Sequence, residues 1–246
     1  MDLIRGRVAD GADPALEMAA THALLRAASS GAVESVLRIH RPTPMVAFGR
    51  RDANRPGFGE AVRACREAGF TPVVRPAGGR AVACTSQALV VEHVQHAPGV
   101  FAGMEERFTD YGALLADALR GVGIAARVGE VPGEYCPGAH SINVRGTQKL
   151  IGTAQRMVRD AWLFSSVLIL DDTAVLQPLL AQVYAALEMP FDPASVGSTA
   201  EEGASPQDVE DAVLAAYDDR FGLVEVPADS ALLDAALALV GDHRVA

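Results

Sequence analysis

Lysine is all but missing from this chain: of its 21 basic residues only Lys149 is not arginine. Cysteine is sparse too. Cys65, Cys84 and Cys136 are odd in number and widely spaced, which excludes a disulfide framework and any zinc-binding spacing. A special cysteine here would be a reactive one, and no metal site is expected. No run approaches the ~20 apolar residues of a membrane span, and the start Met1-Asp2-Leu3-Ile4-Arg5-Gly6-Arg7 lacks the apolar core of a signal peptide. A cytoplasmic, monomeric protein without a membrane partner is therefore expected. What is present is 50% hydrophobic residue over 246 positions with only 5% aromatic, enough for one large domain or one domain with a small appendage.

Charge is unevenly placed. The net charge is -10, yet residues 38 to 80 carry nine arginines against Asp52, Glu60 and Glu67, and residues 160 to 246 carry sixteen acids against Arg220 and Arg244. A basic quarter in an acidic protein suggests an anionic substrate group or acidic partner, while the acidic remainder argues against general nucleic-acid binding. Some of these arginines, Arg63 and Arg66 among them, read equally as the solvated face of a helix.

The lone lysine lies in Lys149-Leu150-Ile151-Gly152-Thr153-Ala154-Gln155-Arg156, just after a turn-like Arg145-Gly146-Thr147-Gln148. Arginine could replace a lysine that only carried charge, but not a compact ammonium required to donate to a single oxygen. A solvated hairpin lysine is the plainer alternative. A second stretch, Arg75-Pro76-Ala77-Gly78-Gly79-Arg80-Ala81-Val82, puts adjacent glycines between guanidinium groups. There the backbone can approach a ligand closely and aim N–H groups at an oxyanion. No Lys-Ser/Thr helix start follows, so it is no Walker loop; taken alone, it reads equally as a hairpin turn with surface arginines.

In chain order, Asp13-Pro14 opens a helix that stops near Ser29-Ser30-Gly31. Residues 33–40 and 45–49 alternate as strands around a Pro42-Thr43-Pro44 turn. Residues 59–69 form a short amphipathic helix with Cys65 on its apolar face, and strands follow from 71 and over 89–94. Met104 to Gly121 is the longest clear helix. Gly129 to Gly138 is too rich in glycine and proline for regular structure. A hairpin over 141–152 continues to 159 and into a buried strand over 162–170, and helices are expected at 173–188, 206–220 and about 229–240.

The two stretches, in this order and about 70 residues apart, resemble the signature motifs of the lipoate-protein ligase and octanoyltransferase branch of the biotin/lipoate protein ligase superfamily. Phe48-Gly49-Arg50-Arg51 resembles its strand-end motif. The resemblance spans roughly residues 14 to 190. It implies an α+β fold: a ligase-like catalytic domain over residues 1–200, with a central, largely antiparallel sheet flanked by helices, and a short acidic helical extension over 201–246. It implies further that Lys149 polarises an acyl carbonyl and that Gly78 and Gly79 offer N–H groups. Arg75, Arg80 and Arg50 would serve phosphate or loop, Gly152 would allow close packing at the acyl chain, and Gln155 would orient neighbouring groups.

The family's histidine after the glycine motif is replaced by Cys84-Thr85, with His93 and His96 a short strand away. The chemistry implied is attachment of a lipoyl or octanoyl group to lipoyl-domain lysines, through an adenylate made from ATP, magnesium and lipoate or octanoate. The alternative is an ATP-independent thioester on Cys136, thirteen residues before Lys149, loaded from octanoyl-acyl carrier protein; Cys136 reads equally as a small loop residue. A relative that binds acyl groups or lipoyl domains without turnover is the third reading. Partners implied are the lipoyl domains of 2-oxoacid dehydrogenases or the glycine cleavage H protein.

Overall fold

The structure, a computed structural model, describes every residue except 10, 12, 100, 101 and 246. Its elements run β1 (Asp2–Arg5), α1 (Pro14–Ser29), β2 (Ser35–His40), β3 (Met45–Phe48), α2 (Phe58–Glu67), β4 (Thr71–Val74), β5 (Val82–Cys84), β6 (Ala88–His96) and α3 (Met104–Gly121). Then follow β7 (Ala126–Val128), β8 (Ile142–Val144), β9 (Gln148–Val158), β10 (Ala161–Ile169), α4 (Thr173–Ala186), α5 (Pro206–Phe221), β11 (Val224–Glu225) and α6 (Ser230–Leu239).

Local chemistry sets several of these boundaries. Asp13 caps α1 by accepting from Ala15 N–H at 2.9 Å, with Pro14 in the first turn. The β8–β9 hairpin closes through Arg145 and Gly146, both at positive φ, with Thr147 N–H donating to Val144 O at 3.1 Å. Arg145 and Gly146 are thus the centre of a β-turn within a three-residue loop, 145–147, between the paired Val144 and Gln148.

The large sheet has the order β11-β1-β2-β6-β10-β9-β8-β7. Pairs β11/β1 and β1/β2 are parallel and the other five antiparallel. The α+β class and largely antiparallel sheet implied by the resemblance are therefore what the chain adopts. A separate three-stranded sheet, β4-β3-β5, sits beside it. Strand alternation sends Leu37 and Ile39 to the face covered by α3 and α5, where Tyr111, Leu115 and Leu119 pack. It sends Val36 to the face covered by α1 and α6. Burying each such side chain stabilises the fold by about 1.5–3 kcal/mol.

The small sheet packs with α2 and α4 in a third cluster. Residues 201–246 supply α5, which packs on α3, the edge strand β11, and α6, which packs on α1. Between α1 and the large sheet the buried Arg38 guanidinium sits between two carboxylates, Glu17 and Glu92, the latter at 3.1 Å. Thr21 Oγ donates to Glu92 at 2.6 Å. A buried cation held this way is costly to leave unpaired, so each partner of this group depends on the others.

Candidate active site

The glycine loop leaves β4 and is held at its root. Arg75 N–H donates to Phe48 O at 3.0 Å, and Val74 N–H donates to His243 O at 2.9 Å. The His243 ring returns a bond from Nδ1 to Val74 O at 2.7 Å, and its Nε2 meets His22 Nδ1 at 3.1 Å. Gly49 lies directly under the loop: a Cβ there would stand 2.0 Å from Gly79 O. Gly79 itself has φ 101°, and a Cβ on it would lie 2.6 Å from Cys136 Sγ and 2.2 Å from Arg75 Nη2. Neither position admits a side chain without moving the loop.

The irregular run after β7 folds around one carboxylate. Glu134 is buried, and its Oε1 accepts from Val131 N–H at 3.3 Å and Gly138 N–H at 3.2 Å. Its Oε2 accepts from Ser141 Oγ at 2.7 Å and pairs with Lys149 Nζ at 2.9 Å. This winds residues 131 to 141 into a loop that presents Cys136 with φ 44°, the left-handed region that a residue with a side chain rarely adopts. The Tyr184 hydroxyl supports that conformation, accepting from Cys136 N–H at 2.6 Å and donating to Ala81 O at 3.0 Å.

Cys136 Sγ therefore arrives beside the glycine loop. It accepts from Arg80 N–H at 3.1 Å and from Arg75 Nη2 at 3.3 Å. Burial alone would push this thiol up. The Arg75 and Lys149 charges, with the bonds from Arg80 N–H and Arg75, outweigh burial and leave it below the ordinary thiol value. Cys84 shows the opposite case: fully buried, and only partly relieved by Arg75, it is pushed up to about 12.

Lys149 is 1% exposed, so the solvated-hairpin reading does not hold. Its ammonium uses three acceptors of its own chain: Tyr135 O at 2.9 Å, Cys136 O at 3.0 Å and Glu134 Oε2 at 2.9 Å. The Tyr135 ring lies 4.5 Å beneath it. Burial lowers its pKa, a change that the Glu134 charge opposes. Lys149 thus pins the cysteine loop to β9. Gly152 leaves room for this arrangement, since a Cβ there would stand 3.2 Å from Lys149 Cε.

Cys136 opens on a cleft of about 400 Å³, whose walls include Gly78, Gly79, Phe108, His140 and Gln155. Gln155 takes the Arg107 Nε–H bond at 2.8 Å and donates to Met104 O at 2.8 Å, fastening the start of α3 to β9. Behind the loop a narrower, mostly apolar pocket is lined by Arg75, Met18, Met45, Val82, Cys84 and Leu163, with Glu92 on its wall.

The structure thus brings together Lys149, Cys136, Arg75, Gly78, Gly79, Arg80, Gly152 and Gln155. Arg80 also pairs with Asp52 at 3.1 Å, and so braces the loop. Arg50 is exposed and does not line the cleft. His93 and His96 do not replace the absent histidine. His93 packs against Tyr111, Trp162 and Tyr217 on the far face of the sheet, and His96 bonds Ala28 O at 2.7 Å. Glu134 and Tyr184 were not singled out from the sequence. The only hint was an acid within a run that had to be tightly turned.

A thiol held low beside a glycine loop, with a buried lysine behind it, thus stands at the mouth of a cleft on an α+β scaffold. The chain belongs to the family of the lipoyl protein ligase A/B catalytic domain, whose model matches residues 13–218. Among its relatives, an octanoyl-[GcvH]:protein N-octanoyltransferase of Geobacillus kaustophilus is 32% identical over 139 residues, covering 56% of this chain and 48% of that protein. A protein of the same name from an Exiguobacterium species is 32% identical over 126 residues, covering 51% and 44%. The chain spans about half the length of these curated relatives. The fold is also that of a lipoate-protein ligase A solved with ATP, at TM-score 0.78 and 19% identity over 98% of this chain and 95% of that one. The putative lipoate protein ligase Ta0514 of T. acidophilum, solved with lipoic acid, gives 0.76 and 18% over the same shares.

Proposed function

We propose that this protein is an acyltransferase that moves an octanoyl or lipoyl group onto the acceptor lysine of a lipoyl domain through a thioester on Cys136. The observation that carries this reading is the thiol itself, lowered by Arg75 and Lys149 and hydrogen-bonded at the mouth of a cleft. The Cys136 thiolate attacks the donor's acyl carbonyl; the C–S bond forms, and the bond to the donor breaks, releasing the donor's thiolate, or its amine once a proton supplied by solvent has reached the nitrogen. Charge then moves from sulfur to the carbonyl oxygen, next to the Arg80 N–H and Arg75 guanidinium that held the thiolate. The cleft of about 400 Å³ on which Cys136 opens, with Phe108 and Met104 on its walls, has the volume an acyl chain needs.

The relatives' name points to an octanoyl group carried by the glycine cleavage H protein as donor, with octanoyl-acyl carrier protein as the other candidate. Acceptors would be lipoyl domains of 2-oxoacid dehydrogenases. Neither ATP nor magnesium is required on this route. Preference for the thioester over the adenylate rests on Lys149, whose donors are committed to the chain and not left for a nucleotide or acyl oxygen.

Incubation with octanoylated H protein or octanoyl-carrier protein should leave a hydroxylamine-sensitive adduct on Cys136. Cys136→Ser should abolish adduct and transfer, while Cys84→Ser should keep both. Full transfer by Cys136→Ser would overturn the proposal, and ATP-dependent attachment of free lipoate by that variant would establish the adenylate route instead.

A further inference from the structure

Discharging a thioester onto a lysine demands a base, because the free side chain, with a pKa near 10.4, arrives as an ammonium with no lone pair. Lys149 cannot supply one, since its three N–H bonds are directed to Tyr135 O, Cys136 O and Glu134. Both Glu134 oxygens are occupied inside the loop. The Tyr184 hydroxyl is spent between Cys136 N–H and Ala81 O. Among the described residues that line the cleft with Cys136, the remaining titratable groups are His140 and Glu105.

These two are paired. His140 Nε2 lies 2.9 Å from Glu105 Oε1, its ring stacks on Phe108 at 4.8 Å and 5°, and its carbonyl accepts from Thr153 Oγ at 3.1 Å. The backbone and ring plane are held, and one nitrogen meets a solvent-exposed carboxylate. With Nε2–H given to the carboxylate, Nδ1 carries the lone pair. A carboxylate that orients an imidazole and steadies its cation is the arrangement a general base requires. His140 is also partly open to solvent, where an acceptor side chain enters, and stands four residues from Cys136 on the same loop.

The geometry points to His140, oriented by Glu105, as the catalytic base that takes protons from the acceptor lysine; the inference rests on the thioester reading above. The first proton passes from the ammonium to His140 and on to solvent. The free amine adds to the thioester carbonyl, forming the C–N bond. As the C–S bond breaks and its electron pair returns to Cys136 Sγ, His140 takes the second nitrogen proton. The products are a neutral amide, a thiolate and two protons released to solvent.

The test separates the two half-reactions in the full chain, with octanoyl-acyl carrier protein as donor and a lipoyl domain as acceptor. Loading from an amide donor would not separate them, because it is the reverse of lysine acylation and would itself need His140, as the acid. His140→Gln, which keeps size and a donor for Glu105, should load Cys136 at the wild-type rate yet pass the acyl group to lysine about 10²-fold more slowly. Hydroxylamine, already unprotonated at neutral pH, should discharge the loaded variant as fast as wild type. The exposed Glu105→Gln should show the same split, severalfold in size. Lysine transfer at the wild-type rate by His140→Gln, or a parallel loss of hydroxylamine discharge, would overturn the role. A wild type that never loads would instead remove the Cys136 reading and this inference with it.

Discussion

Replacing Lys149 by methionine keeps the stem that packs on Gly152 and Tyr135 but removes the ammonium. Glu134 keeps three donors, the weakest at 3.3 Å, while the carbonyls of Tyr135 and Cys136 lose theirs. Breaking a buried ion pair from one side costs about 3–5 kcal/mol. The surviving bonds to Glu134 favour the lower half of that range, and the two stranded carbonyls pull the other way, so about 4 kcal/mol is expected. For a chain this size that lowers Tm by roughly 8–16 °C. Adding Glu134→Gln removes the unpaired charge and should recover about half the loss without restoring transfer. Lys149→Arg should fold better than Lys149→Met, but a planar guanidinium cannot reproduce three contacts in the space left by Gly152. Its transfer should fall about 10²-fold through misplacement of the cysteine loop. Thermal melts and transfer assays on the four proteins decide it. Lys149→Met melting within about 2 °C of wild type, or Lys149→Arg transferring at the wild-type rate, would refute the reasoning.

Gly79→Ala should drive Cys136 Sγ and Arg75 apart, so alkylation of Cys136 by iodoacetamide should require higher pH than in wild type, and transfer should fall about 10²-fold. An unchanged alkylation profile would show that the loop gives way elsewhere. His93 supplies a pH prediction: burial lowers it to about 3, so the folded state keeps it neutral while the unfolded chain protonates below about 6.5. Its contribution to stability is present above 6.5 and is lost as pH falls towards 3, by about 2 kcal/mol at pH 5. His93→Phe should therefore lose less stability between pH 8 and pH 5 in urea melts, and equal losses would contradict the assignment.

The main features of the site could be read from the sequence because composition marked them. A lysine in a chain that otherwise uses arginine, a glycine pair between arginines and one cysteine in an irregular loop each stood out without any fold. The role given to Lys149 from the family resemblance does not follow from its environment, because three acceptors from a loop fourteen residues upstream are invisible until the chain is folded. Glu134 was hidden for the same reason: one more acid in an acidic protein, distinguished only by burial. Strand parity misdirected attention to His93, since its neighbour Glu92 faces the pocket while His93 faces away. The short strands β1, β5, β7 and β11, of two to four residues, carry too little alternation to be seen, and with them went the separate small sheet.

The bonds between His243 and Val74 have a bearing on how the protein is made. They join residues 169 apart in sequence, at the root of the glycine loop. A ribosome delivers Val74 long before His243, so the strands of the small sheet can pair while the loop they carry still lacks part of its anchor. Synthesis at about 5–20 residues per second places that interval at roughly 8–34 s. The root of the glycine loop is thus completed only once residue 243 has emerged, and a nascent chain stalled short of it would hold Cys136 and its glycine loop without this clamp.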